Sequence, residues 1–151
     1  MPPRPPALHV AKVPGFAGSA ASDLGQGFWE SAVGDLYYAC FHAALALLST
    51  AGVAPGTHQG AREMLGLHFV LPGLLPTELG RAFSHLMTDR QIADYGVAGE
   101  TTEEVARDAA RDAAAFLRAV LPLVAERAPE AADAVRAALG AVDRLERANA
   151  A

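Results

Sequence analysis

Cysteine is nearly absent from this chain: Cys40 is the only one, which excludes an internal disulfide. It sits inside the most apolar stretch, with no cationic neighbour in the sequence to lower its pKa. It therefore reads as a small buried hydrophobe in a reducing compartment rather than a reactive thiol. None of the five histidines, His9, His42, His58, His68 and His85, forms an H-x3-H pair or a Cys/His cluster, so neither a metal nor another cofactor is expected. The alternation of β-branched and aromatic residues that a half-buried strand needs is scarce. Positive charge is also in deficit, with 12 Lys and Arg against 17 Asp and Glu for a net charge of −5. Such a surface does not draw nucleic acid at long range, which argues against a sequence-independent DNA binder and leaves room only for a local basic cleft. A glycine-rich phosphate loop is missing, because Gly25 and Gly27 supply a GxG without the rest of any fingerprint.

Long apolar runs are missing as well, and none is expected to span a bilayer, which takes about 20 residues. The opening MPPRPPALHVAKVPGFAG is broken by prolines and lacks the apolar segment of a signal peptide. A cytoplasmic protein without a membrane partner is the expectation. Five of the ten prolines fall between residues 1 and 18, so that stretch is expected to be an extended, flexible tail, with residues 19–151 forming a single helical domain.

What the chain does contain is alanine-rich and 52% hydrophobic. Alanine loses no side-chain entropy in a helix, so the composition favours helices throughout. Ser22 and Asp23 can cap a short helix leading through Phe28 and Trp29. A strong helix is predicted from about Glu30 to Ser49, where Val33, Leu36, Tyr37, Cys40, Phe41, Ala44, Leu47 and Leu48 recur at three- and four-residue spacing. A shorter helix is expected over 60–69, then a loop to Pro76. A helix capped by Thr77 and ending near Gly96 follows, then a long helix opened by Thr101 or Thr102 and kinked at Pro122. A last helix is predicted over about 130–147, entered through Pro129. The fold class is all-α, an up-and-down bundle of four or five helices.

Arg90 stands out on physical grounds. It shares a helical stripe with Phe83 and Leu86, where a helix presents apolar residues to a partner. A guanidinium cannot shed its proton, so placing it there requires anionic or hydrogen-bonding company. Asp94, one turn on, and Asp35, on the flank of the main helix, are both available. Two roles fit: a structural ion pair that fixes helix packing, or an arginine aimed at a phosphate. His42 lies on the same side of its helix as Asp35, and His58, in the turn GTHQG, reads as a cap or turn residue.

The stretch SAVGDLYYACFHAALALL, the turn THQG, the segment HFVLPGLLPTELGRAFSHL and the closing DRQIADYG occur in one order and spacing. Together they resemble the HEPN superfamily, and specifically its small stand-alone bacterial and archaeal branch; the likeness covers about Phe28 to Val120. It implies an up-and-down helical bundle that pairs as a two-fold homodimer. Many members are endoribonucleases of toxin–antitoxin or defence systems, often encoded beside a small nucleotidyltransferase antitoxin. Their metal-independent active site is an R-x4-6-H motif at the dimer interface, in which arginine binds the scissile phosphate and histidine assists proton transfer from the ribose 2′-OH.

Carried over by position, Arg90 matches the motif arginine and Tyr95 fills the histidine slot after four intervening residues. Asp94 lies between them, and Tyr38 and His42 are expected substrate-binding neighbours. Tyrosine, with an ordinary pKa near 10, is a poor general base at neutral pH. Asp35 stands where relatives commonly carry a basic residue. Arg62 and His68 satisfy R-x5-H in letter but fall in another helix. The resemblance thus implies an RNA-acting subunit of a two-component system with a degenerate ribonuclease motif. The alternative is a non-catalytic module that binds a nucleotide, RNA or a partner protein.

Overall fold

Helices Pro6–Val10 (α1), Val13–Gln26 (α2), Trp29–Ser49 (α3), His58–Leu65 (α4), Thr77–Tyr95 (α5), Glu103–Arg127 (α6) and Ala132–Ala150 (α7) make up the chain. These come from a computed structural model that describes residues 2–151. A π-helical turn, Gly66–Val70, extends α4, and a 3-10 turn, Pro129–Ala131, leads into α7. No strand occurs among the described residues.

The helices α2, α3, α6 and α7 form a ring in which each packs on two neighbours, while α5 lies against both α3 and α6. Side-chain pairs give the directions. Phe16 meets His42 and Tyr38, so α2 and α3 are antiparallel. His85 approaches Asp112 while Phe83 stacks on Phe116, so α5 and α6 are antiparallel. Arg107 bonds Asn149 and Arg118 bonds Asp143, which makes α6 and α7 antiparallel too. Arg107 sits over Trp29, and Arg127 reaches Thr50, so α3 and α6 run parallel with α5 returning the chain between them.

Local chemistry sets most boundaries. Gly27 ends α2 at φ +77°, a left-handed conformation that glycine adopts without a Cβ penalty. Thr102 caps α6 by accepting the Val105 N–H, with Glu103 and Glu104 in the first turn, where carboxylates complement the positive helix end. Thr57 does the same for α4 through the Gly60 N–H. Thr77, expected to be a cap, is instead the first helical residue after Pro76, and its side chain makes no capping bond. The helix α6 continues unbroken through Pro122, held to the core on either side by the fully buried Val120, Leu121 and Val124.

The N-terminal stretch is not the extended tail its prolines suggest. Pro6 and Pro14 each occupy a first-turn position, where the missing N–H breaks no helical bond. Val10, Val13 and Ala17 are fully buried, α1 packs on α3 and α7, and the Ser49 hydroxyl donates to the Arg4 carbonyl. Ser22 and Asp23 consequently lie within α2 rather than capping a new helix.

The helix α3 is the axis of the molecule, with eleven buried residues from Ala32 to Leu48. By length and composition it is apolar enough to cross a membrane, which corrects the expectation that no run is. Its most apolar window is 61% buried, because α1, α2, α4, α5 and α6 all pack on it. Cys40 points inward, its thiol donating to the Ala113 carbonyl at 3.8 Å, and burial pushes its pKa up. That leaves it a thiol and not a thiolate nucleophile.

Candidate functional site

Rings from α3, α5 and α6 form a stacked column. Tyr37 is fully buried; its ring stacks on Phe83 with centroids 5.8 Å apart, and Phe83 stacks on Phe116 at 5.3 Å. At the Tyr37 end of this column the buried hydroxyl lies 2.7 Å from His58 Nδ1. His58 is the first residue of α4, directly after its cap. Its ring centroid is 4.4 Å from that of Phe41 and 6.0 Å from that of Tyr38.

Arg90 closes the cluster from α5. Its guanidinium carbon lies 5.7 Å from the Tyr37 ring centroid and 5.3 Å from that of Tyr38, a cation–π arrangement contributing about 0.5–2 kcal/mol. The side chain is only 17% exposed, and Nε lies 3.1 Å from Asp94 Oδ2. That contact is an ion pair but not a hydrogen bond: the N–H is not directed along it, and Nε is buried without a hydrogen-bond partner. A guanidinium carries five N–H donors in a planar fork. One single-atom approach by a carboxylate leaves most of that capacity for an anion.

Charge around the cluster follows from burial. Burial and the neighbouring Arg90 charge together lower the pKa of His58, so it is neutral at pH 7. Burial pushes the Tyr37 hydroxyl well up, only partly opposed by Arg90, so it keeps its proton. Burial, assisted by Lys12, His9 and His58, drives His42 down to about 4. His42 stacks on Phe16 at 5.5 Å, and its Nδ1 is buried without a partner.

Of the residues singled out in the sequence, Arg90, Asp94 and Tyr38 come together. His42 lies on the same helix one turn past Tyr38, against α2 instead of α5. Tyr95 does not join them: it is 82% exposed. Five residues of α-helix rotate a side chain about 140° from its starting direction, whereas the four to Asp94 rotate it only about 40°. Asp35 is not a partner of Arg90 either. It faces α2, in a cavity of about 330 Å³ lined by Lys12, Phe16 and Ser19. There burial lifts its carboxyl to about 6; the Ser19 hydroxyl opposes that rise and nearby Asp23 adds to it.

His58 is the residue that sequence reasoning missed. The turn GTHQG marked it as a cap or turn residue, whereas Thr57 is the cap and His58 the first residue of α4; nothing in a separation of 32 residues connects it to Arg90. His85, placed 3.6 Å from Asp89 and 3.5 Å from Asp112, was likewise invisible. No group of three or more His, Cys, Asp or Glu among the described residues is arranged to hold a metal ion.

The model of the HEPN domain matches residues 16–127. The chain belongs to the HEPN family. The matched span of this HEPN protein runs from within α2 to the last residue of α6 and contains every side chain of the Arg90 cluster. A UPF0332 protein of Thermotoga maritima is 34% identical over 95 residues, covering 63% of this chain and 72% of that protein. A protein of Methanocaldococcus jannaschii, named as a candidate toxin, is 40% identical over 76 residues, 50% of this chain and 57% of its own. A UPF0332 protein of Pyrococcus horikoshii is 29% identical over 82 residues, 54% of this chain and 58% of that one. The match therefore spans a little over half the length of the last two relatives.

Proposed function

We propose that this HEPN protein is the toxin-like subunit of a two-component system and engages RNA through a backbone phosphate at Arg90. The observation that carries the reading is the state of that side chain. It is largely buried on two tyrosine rings, with one carboxylate approaching Nε and no hydrogen bond there. Partial burial strengthens its field, and contact with the Tyr37 and Tyr38 rings restricts where the fork can point. Tyr38, half-buried beside it, is the neighbouring surface for a base or ribose. The likeness to the Methanocaldococcus jannaschii candidate toxin supports the same reading. A homodimer would place the exposed end of α5, with Ile92, Tyr95 and Val97, against its copy, and a small nucleotidyltransferase would be the antitoxin.

The second reading is a non-catalytic RNA-, nucleotide- or protein-binding module. It is favoured by Tyr95, which occupies the motif histidine's place and stands in solvent, and by Asp94, which offsets the Arg90 charge.

Inducible expression of wild type and Arg90→Ala, with growth and total RNA integrity followed together, separates the two. Growth arrest with fragmented RNA in wild type, both lost in Arg90→Ala that keeps its circular dichroism spectrum, is the expected result for a ribonuclease. Intact RNA with growth arrest points to the binding module. Normal growth and intact RNA with wild type would overturn the toxin reading.

A further inference from the structure

We infer that His58 is a second phosphate-contacting residue of this site, presenting its Nε2–H beside the Arg90 guanidinium to an oxygen of a phosphate-bearing ligand. The inference rests on the proposed phosphate role of Arg90 and adds a donor from a different helix. It begins at the Tyr37 hydroxyl. That side chain is fully buried, and its only hydrogen-bond partner among the described residues is His58 Nδ1, at 2.7 Å. If Nδ1 carried the proton, it would donate to the tyrosine oxygen and strand the phenolic O–H in the interior with no acceptor, which is strongly disfavoured. The hydroxyl therefore donates and Nδ1 accepts. A neutral imidazole that accepts at Nδ1 bears its proton at Nε2.

Nε2 is free to use that proton outward. It makes no hydrogen bond to the described residues, and it is not among their buried, unpartnered side-chain atoms, so it reaches solvent. The ring cannot swing away without losing its 4.4 Å contact with Phe41 and its bond to Tyr37. Tyr37 and Tyr38 each neighbour both His58 and Arg90, so the two residues gather around the same pair of rings. The division of labour follows: Arg90 supplies charge, and His58 supplies a directional donor without charge. A backbone phosphodiester and a free phosphate group both present the oxygen that this pair fits.

The tautomer is tested first, on the full chain labelled with 15N-histidine, by two-bond 1H–15N correlation at pH 7.5. The expected spectrum shows His58 with Nδ1 unprotonated and Nε2 protonated, and Tyr37→Phe loses that bias. A protonated Nδ1 in wild type overturns the inference. Binding is tested with a 2′-O-methyl oligoribonucleotide, which cannot undergo 2′-OH attack, and separately with inorganic phosphate. A Gln amide nitrogen sits near the position of Nε2 and an Asn amide near that of Nδ1. His58→Gln is therefore expected to keep binding, while His58→Asn loses about tenfold, the weight of one well-placed hydrogen bond.

Salt dependence separates the two residues. Arg90→Ala should flatten the slope of log Kd against log salt by about one, and His58→Asn should leave the slope as in wild type. Binding abolished by Arg90→Ala but untouched by His58→Asn overturns this inference and leaves the Arg90 reading standing. No binding of either probe to wild type overturns both. Tighter binding of the oligonucleotide than of inorganic phosphate assigns the site to a nucleic-acid backbone, and the reverse order assigns it to a free phosphate group.

Discussion

Asp35 and Arg90 show how differently two charged side chains at two faces of α3 can be accommodated. Arg90 keeps its charge and is met by rings and a partly exposed carboxylate. Asp35 is met by another acid: Asp23 is buried, with Oδ2 lacking any partner, and a proton on Asp35 can supply the missing donor. That proton makes stability depend on pH. The folded-state pKa of about 6 lies above the ordinary 3.8, so the folded chain holds more protons than the unfolded one between these values. Stability from this source is complete below about pH 4 and is lost as pH rises through about 6. Asp35→Asn, whose amide donates at every pH, should unfold at a higher temperature than wild type at pH 7, with the gain shrinking toward pH 4. Thermal melts at the two pH values check this; an equal or lower midpoint at pH 7 would sink the account. His58 belongs to this scale as well, since its orientation depends on a single hydroxyl, that of Tyr37.

At the scale of helices, termini explain more than interiors. The helix α5 ends at Tyr95 because Gly96 closes it, its N–H bonding the Ile92 carbonyl at 2.7 Å. A Cβ placed on Gly96 would lie 2.5 Å from that carbonyl oxygen, too close for any side chain, and a backbone atom cannot step aside. Gly96→Ala is therefore expected to unwind the last turn of α5, destabilising the protein by roughly 1–3 kcal/mol, the range for forcing an extra methyl into occupied space. Amide hydrogen exchange should show faster exchange confined to the end of α5 around Asp94. Unchanged protection there would refute the steric argument. The same end carries Asp94, so any loosening should also release Arg90 from its carboxylate.

For the whole molecule, the N-terminal segment is part of the core. Val10 and Val13 are fully buried, α1 touches α3 and α7, and His9 stacks on His42 at 6.5 Å. Deleting residues 2–11 would expose α3 and remove Val10, whose burial alone is worth about 1.5–3 kcal/mol. The truncated chain should lose at least that much in urea unfolding. A deletion without effect would mean that the segment is a dispensable tail after all. The packing also accounts for α3, which has the length and composition of a membrane-spanning helix yet is surrounded by five other helices.

The amino-acid sequence by itself determined what depends on neighbours within a few residues. Periodicity predicted α3, α5, α6 and α7, because apolar residues at three- and four-residue spacing specify both a helix and its inward face. The run from Tyr37 to Leu48 and the motif around Arg90 were enough to reveal the family. Proline content misled at the N-terminus, since a proline in a first helical turn and a proline in an extended tail look the same in one dimension. Only the tertiary structure decided which side chains meet. It brought His58 of α4 and Arg90 of α5 to the same side chain, Tyr37 of α3. It also turned Tyr95 outward and gave Asp35 to α2. These pairings follow from how helices pack across loops of different length, and no local spacing encodes that.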